Sequence, residues 1–245
     1  MKSYSVFLFS SILMIAWLAG CSSTKSQPKS QPVHSGPTAS VPVPSEPATQ
    51  DTRPVIVAFG DSLTAGYGVD RDQSYPANLQ RDLDARGYHY RVVNEGISGN
   101  TSKDGVLRAR QIAALHPAVV ILAFGGNDGL RGVPIQDTEM NLGKIISTMQ
   151  DAHAKVILGG ITLPPNYGPE YIAKFNAIYQ KQAAAFHVPL LPFMLKGVYG
   201  VPGSMQNDGI HPTAKGCQQV ARNFLPFLLP LLHKPGRLHD SSHTH

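Results

Sequence analysis

The chain has 245 residues, 42% of them hydrophobic and 15% charged, with a formal net charge of +5. That balance is ordinary for a globular protein and can bury a sizeable core. The surplus Lys and Arg are scattered without a run of like charge, so the basic pI of about 9.2 is no ground for nucleic-acid binding. The two cysteines, Cys21 and Cys217, make no disulfide framework if Cys21 is used otherwise.

Residues 1–21 read as a targeting segment, with Lys2 followed by an almost uninterrupted apolar stretch from Val6 to Ala19. The stretch is short for a membrane span of about 20 residues. Leu18-Ala19-Gly20-Cys21 resembles the lipobox of bacterial lipoprotein signal peptides, which implies export and lipidation of Cys21. Ser22 resembles an outer-membrane sorting signal, so the expected location is the periplasmic face of the cell envelope, on the outer membrane. An uncleaved anchor helix and ordinary secretory cleavage are the alternatives. Residues 22–53 hold Ser, Pro, Thr, Gln and Val, and seven of the twenty prolines fall between Pro28 and Pro54. Such a stretch cannot bury enough apolar surface to offset its ordering entropy, and a disordered tether reaching at most about 100 Å is expected.

From residue 54 to 234 the pattern alternates between strand and helix. Strands are predicted at Val55–Phe59, Tyr90–Asn94, Ala118–Phe124, Lys155–Ile161 and Val188–Leu191. Helices are predicted at Tyr75–Arg86, Ser102–Leu115, Ile135–His153, Glu170–Phe186 and Thr213–Leu232, from apolar residues at helical spacing. Pro76 near one helix start and Gly87 just past its end follow the favoured asymmetry. Pro226 and Pro230 predict that the last helix kinks or ends early. The alternation implies an α/β fold, a parallel sheet of five strands covered on both faces in three layers. The run Phe224–Leu232 is too short to span a bilayer and reads as core packing, as does Cys217. The tail from residue 235, with His239, His243 and His245, reads as a frayed terminus.

Ligands bind such sheets outside the carboxyl ends of the strands. The first loop there carries Gly60-Asp61-Ser62-Leu63; Asp61 and Ser62 either cap the next helix or present a nucleophile. The next two loops, Gly96 to Thr101 and Gly125 to Gly129, offer glycines whose backbone N–H groups can face a crevice, and Asn127 offers an uncharged amide. Such donors suit an oxyanion, although glycines at strand ends are commonly just turns. Of ten histidines, only His211 falls in a loop after the last strand, three residues beyond Asp208. A tight turn would let the Asp208 carboxylate hold the His211 tautomer and the imidazole take the Ser62 proton. A metal-dependent phosphoesterase needs several histidines on that edge, and one is available.

The four blocks Gly60-Asp61-Ser62-Leu63, Ile97-Ser98-Gly99-Asn100-Thr101, Gly125-Gly126-Asn127-Asp128 and Asp208-Gly209-Ile210-His211-Pro212 resemble those of the SGNH (GDSL-type) hydrolases. Leu163 to Gly168, Pro189 to Phe193 and Met205 to Asn207 resemble the bacterial thioesterase I, lysophospholipase L1 and arylesterase subgroup. The resemblance implies a flavodoxin-like three-layer sandwich with Ser62 as nucleophile, His211 as base and Asp208 as its orienter. It also implies an oxyanion hole made by the N–H groups of Ser62 and Gly99 with the Asn127 side chain. Asp61 is left to brace the turn that presents Ser62. Leu130, Val133, Leu163, Pro164, Tyr167 and Met205 are expected to wall the crevice, an apolar lining suited to an acyl chain or aromatic ester. The expected activity is hydrolysis of acyl or aryl esters and thioesters, including lysophospholipids, by a monomer with neither cofactor nor metal.

Overall fold

In the computed structural model, which describes residues 51–234, the apolar run Val55–Gly60 forms strand β1, and every residue of it is buried. The targeting segment with Cys21, residues 22–50 of the tether and the tail with its histidines lie outside the described residues. The chain continues through α1 (Ser62–Ala65), α2 (Tyr75–Ala85), β2 (Arg91–Gly96), α3 (Ser102–Ala113) and β3 (Val119–Ala123). It then forms α4 (Gly126–Leu130), α5 (Ile135–Asp151), β4 (Lys155–Gly159), α6 (Pro169–Phe186), β5 (Leu190–Leu191) and α7 (Ala214–Leu228).

The five strands make one sheet in the order β2-β1-β3-β4-β5, all parallel. Helices α3, α5 and α6 pack together on one face and α2 packs with α7 on the other. Strands covered on both faces carry unbroken apolar runs rather than alternation, which is why β1 and β3 read so plainly in the sequence. Ile56, Val57, Phe59 and Leu122 are wholly buried, and each such side chain is worth about 1.5–3 kcal/mol.

Two elements differ from expectation for definite reasons. β5 is only Leu190–Leu191, because Pro189 and Pro192 on either side lack the N–H that a ladder needs. The last helix runs through Pro226 to Leu228 and tightens into a 3-10 turn, Leu229–Leu231, that contains Pro230. No helix among the described residues is long and apolar enough to cross a membrane. Cys217 is buried on α7, and burial raises its thiol to about 11 against a hydrogen bond from the Tyr75 main chain. It is a packed side chain.

The register matters most for function. Gly60 pairs with Gly96 on one side and with Ala123 on the other, so three neighbouring strands end at one level. The loops leaving them are forced into one place. Gly60 cannot carry a side chain there, since a Cβ would stand 2.6 Å from the Ala123 carbonyl oxygen.

Candidate active site

Ser62 is the first residue of α1, and Asp61 is that helix's N-cap, its Oδ1 accepting the Leu63 N–H at 3.0 Å. Capping and presentation of the serine are one device: the Asp61 carboxylate fixes the turn and Ser62 stands on it. Burial pushes Asp61 up to about 7, opposed by the Leu63 N–H and reinforced by the charge of Asp128. Its Oδ2 is 3.5 Å from Asn127 Nδ2.

His211 reaches across from the loop between β5 and α7. Its Nε2 is 2.8 Å from Ser62 Oγ and its Nδ1 is 2.7 Å from Asp208 Oδ2. The other Asp208 oxygen accepts the N–H groups of Ile210 at 2.9 Å and His211 at 3.0 Å, an Asx turn that aims the carboxylate and imidazole together. Partial burial works against the Asp208 charge, but the His211 and Ile210 N–H groups and the imidazole outweigh it and hold the carboxyl at about 2. Asp208 is therefore ionised at neutral pH. The Tyr67 ring packs on the imidazole, with centroids 4.6 Å apart.

The third corner is Asn127 on α4. One amide hydrogen goes to the Asn100 carbonyl at 2.9 Å, which fixes the amide plane and leaves the second directed no closer than 3.5 Å to Asp61. Asn100 is itself held, because Arg108 donates to its Oδ1 at 2.9 Å and to the Glu95 main chain at 2.8 Å. Gly99 adopts the left-handed φ of +82°, and Arg131 donates to its carbonyl at 3.0 Å. Among the described residues no protein acceptor takes the N–H of Ser62 or of Gly99. Asp128 is wholly buried and accepts from Ser102 N and Oγ and from Thr138 Oγ1, tying α3 and α5 to the start of α4.

A cleft of about 270 Å³ opens on this corner, and Ser62, Gly99, Asn127 and His211 all line it. Of the wall residues expected from sequence, Leu130, Leu163 and Pro164 line it. Tyr167, Met205 and Val133 do not. Tyr167 turns its hydroxyl to the Leu130 carbonyl at 3.0 Å and so braces the wall from behind. Met205 is spent in a backbone bridge with Pro212 and packs on the core. Sequence reasoning missed Tyr67, Ile161, Phe193, Leu195, Tyr199 and Ile210. Ile161 and Phe193 each stand two residues past the end of a strand, β4 and β5, a signal that could have found them; Tyr199 sits in a long loop with no periodicity to betray it.

Residues 58–219 match the GDSL-like lipase/acylhydrolase family, and the chain belongs to that family of ester-bond hydrolases. It is 45% identical over 178 residues to esterase TesA of Pseudomonas aeruginosa, covering 72% of this chain and 89% of that protein. The Escherichia coli K12 protein named thioesterase 1/protease 1/lysophospholipase L1 is 41% identical over 187 residues, 76% of this chain and 86% of that one. A crystal structure of TesA matches with a TM-score of 0.71 at 45% identity, covering 73% of this chain and 99% of that chain.

Proposed function

We propose that the protein is a serine esterase that hydrolyses acyl and aryl esters and thioesters, lysophospholipids included, through Ser62, His211 and Asp208. The observation that carries this is the pair of contacts on one imidazole, 2.8 Å to Ser62 Oγ and 2.7 Å to Asp208 Oδ2. His211 Nε2 takes the hydroxyl proton as Oγ attacks the carbonyl carbon, and ionised Asp208 holds the Nδ1–H and stabilises the imidazolium. Charge on the carbonyl oxygen is met by the N–H groups of Ser62 and Gly99 and by the second hydrogen of the Asn127 amide, which in the resting site has only a long 3.5 Å contact to Asp61 Oδ2. The imidazolium then gives its proton to the departing alcohol or thiol, and water repeats the sequence on the acyl-enzyme. The apolar cleft walls suit an acyl chain, and the names of the relatives support ester, thioester and lysophospholipid substrates. We further propose that the enzyme acts as a monomer on the periplasmic face of the cell envelope, at the outer membrane, held by lipid on Cys21; the lipobox-like run before that residue supports the anchor.

The test is a series of p-nitrophenyl esters, an acyl thioester and a lysophospholipid, given to wild type and Ser62→Ala with and without chelator. Wild type is expected to turn over at least the esters regardless of chelator, and Ser62→Ala to lose at least about 10⁴-fold in kcat. Activity that disappears with chelator, or survives in Ser62→Ala, sinks the reading.

A further inference from the structure

Ser62 and His211 lie on loops 149 residues apart in sequence, and one uncharged side chain joins those loops. Gln206 Nε2 donates to the main-chain carbonyl of Tyr67 at 2.7 Å and to that of Pro212 at 2.8 Å. Tyr67 stands on the turn that closes α1, its own N–H returning to the Ser62 carbonyl at 3.1 Å. Pro212 directly follows His211. The backbone of Gln206 is pinned as well, its N–H donating to the His211 carbonyl at 2.8 Å and its carbonyl accepting the Gly209 N–H at 3.0 Å. Opposite the amide lies Gly68, at a φ of +75°, where a Cβ would land on Gln206 Oε1. The space for this side chain is thus kept open by a second residue.

We propose that Gln206 is a positioning residue that sets the separation of His211 Nε2 from Ser62 Oγ. The inference rests on the reading of those two groups as base and nucleophile. The loop gains from such a device because Asp208, Gly209 and Ile210 are exposed and none of them belongs to the buried core. A primary amide fits the task for a simple reason: its two hydrogens satisfy two carbonyls on two loops with no charge to desolvate. A glutamate would present oxygens to those same carbonyls, and a methionine of similar shape would leave both without a donor. Tyr67 links the clamp to the chemistry a second time, since its ring covers the imidazole whose loop its carbonyl helps to hold.

The test uses the full-length protein with Gln206→Met, Gly68→Ala and the double variant, assayed on a short p-nitrophenyl ester. Active sites are counted by the p-nitrophenol released when diethyl p-nitrophenyl phosphate reacts to completion with Ser62. Each single variant is expected to lose roughly 10–100-fold in kcat per titrated site with KM changed by no more than about twofold. The phosphorylation rate of Ser62 should fall in parallel, and the double variant should lose no more than the worse single one, because both break one clamp. A per-site kcat within about twofold of wild type overturns the inference, and so does a loss seen only as fewer titratable sites or a lower Tm. Ser62→Ala run alongside separates the two failures. If it is inactive while the Gln206 and Gly68 variants turn over normally, only the clamp is lost; if it is active, the reading of Ser62 fails first.

Discussion

The two edges of the sheet use histidine in opposite ways. At the amino edge, His116, His153 and His187 follow α3, α5 and α6 and adopt left-handed backbone angles, with φ of 49°, 61° and 53°. There the residue ends a helix and turns the chain into the next strand, a task glycine performs more cheaply. At the carboxyl edge, His211 has both ring nitrogens engaged by side chains, one from an Asx turn and one from the first loop. The lesson is that backbone setting decides what an imidazole does. Loops at the carboxyl edge start level because β1, β2 and β3 stop together, so side chains distant in sequence converge. Connections at the other edge are short and occupied with reversing the chain.

The sharpest way to break this contrast is to make equivalent changes at both edges. His211→Gln is expected to cost at least about 10⁴-fold in kcat on a p-nitrophenyl ester, since it removes the proposed proton acceptor at a partly exposed loop position outside the core. A loss of less than about tenfold would erase the distinction between the edges. Next in size, Asn127→Ala removes one of the proposed oxyanion donors and should lower kcat by roughly 10²–10³-fold with little change in KM. An unchanged kcat would remove the amide from the chemistry. The smallest effect belongs to the other edge. His187→Gly, at a position with φ of 53° and an N–H bonded to the Ala183 carbonyl, should leave kcat as it is. It should also raise stability by about 1 kcal/mol, seen as a Tm higher by about 2–4 °C. A fall in kcat there would mean that the amino edge reaches the chemistry after all.

What the sequence made legible follows from the same contrast. Strands buried on both faces advertise themselves as continuous apolar runs, so β1 and β3 were plain to within a residue or two at each end. Elements too short to show a period were invisible: α1 and α4, which present Ser62 and Asn127, are four and five residues long. Their positions could be inferred only from the glycines around them. Asp208 and His211 were findable because one histidine alone lies in the loop between the last strand and the last helix. Gln206 was not, because it acts on main-chain carbonyls, and carbonyls leave no mark in a sequence; Arg108 was not, because its partners Asn100 and Glu95 come from another segment and one of its contacts is again a carbonyl. Tyr167 and Met205 were misplaced for a related reason: the side-chain types suit a cleft wall, but the path of the loop turns them elsewhere.

The direction of β1 has a consequence for how the molecule can be handled. The described chain enters beside Pro54, whose carbonyl accepts the Arg91 N–H at the start of β2, and Ser62 stands past the other end of β1. At about 3.3 Å per residue, some 20 Å of buried strand separates the two. The far end returns to the same pole: His233 N–H donates to Tyr90 Oη, and Lys155 Nζ, at the start of β4, donates to the Leu231 carbonyl. Both ends of residues 51–234 therefore lie behind the reaction, on the side away from the cleft mouth. A bead, a fusion partner or a peptide joining one end to the other could be attached there without standing in the path of substrate, and a circularly permuted enzyme could take its new termini from the front.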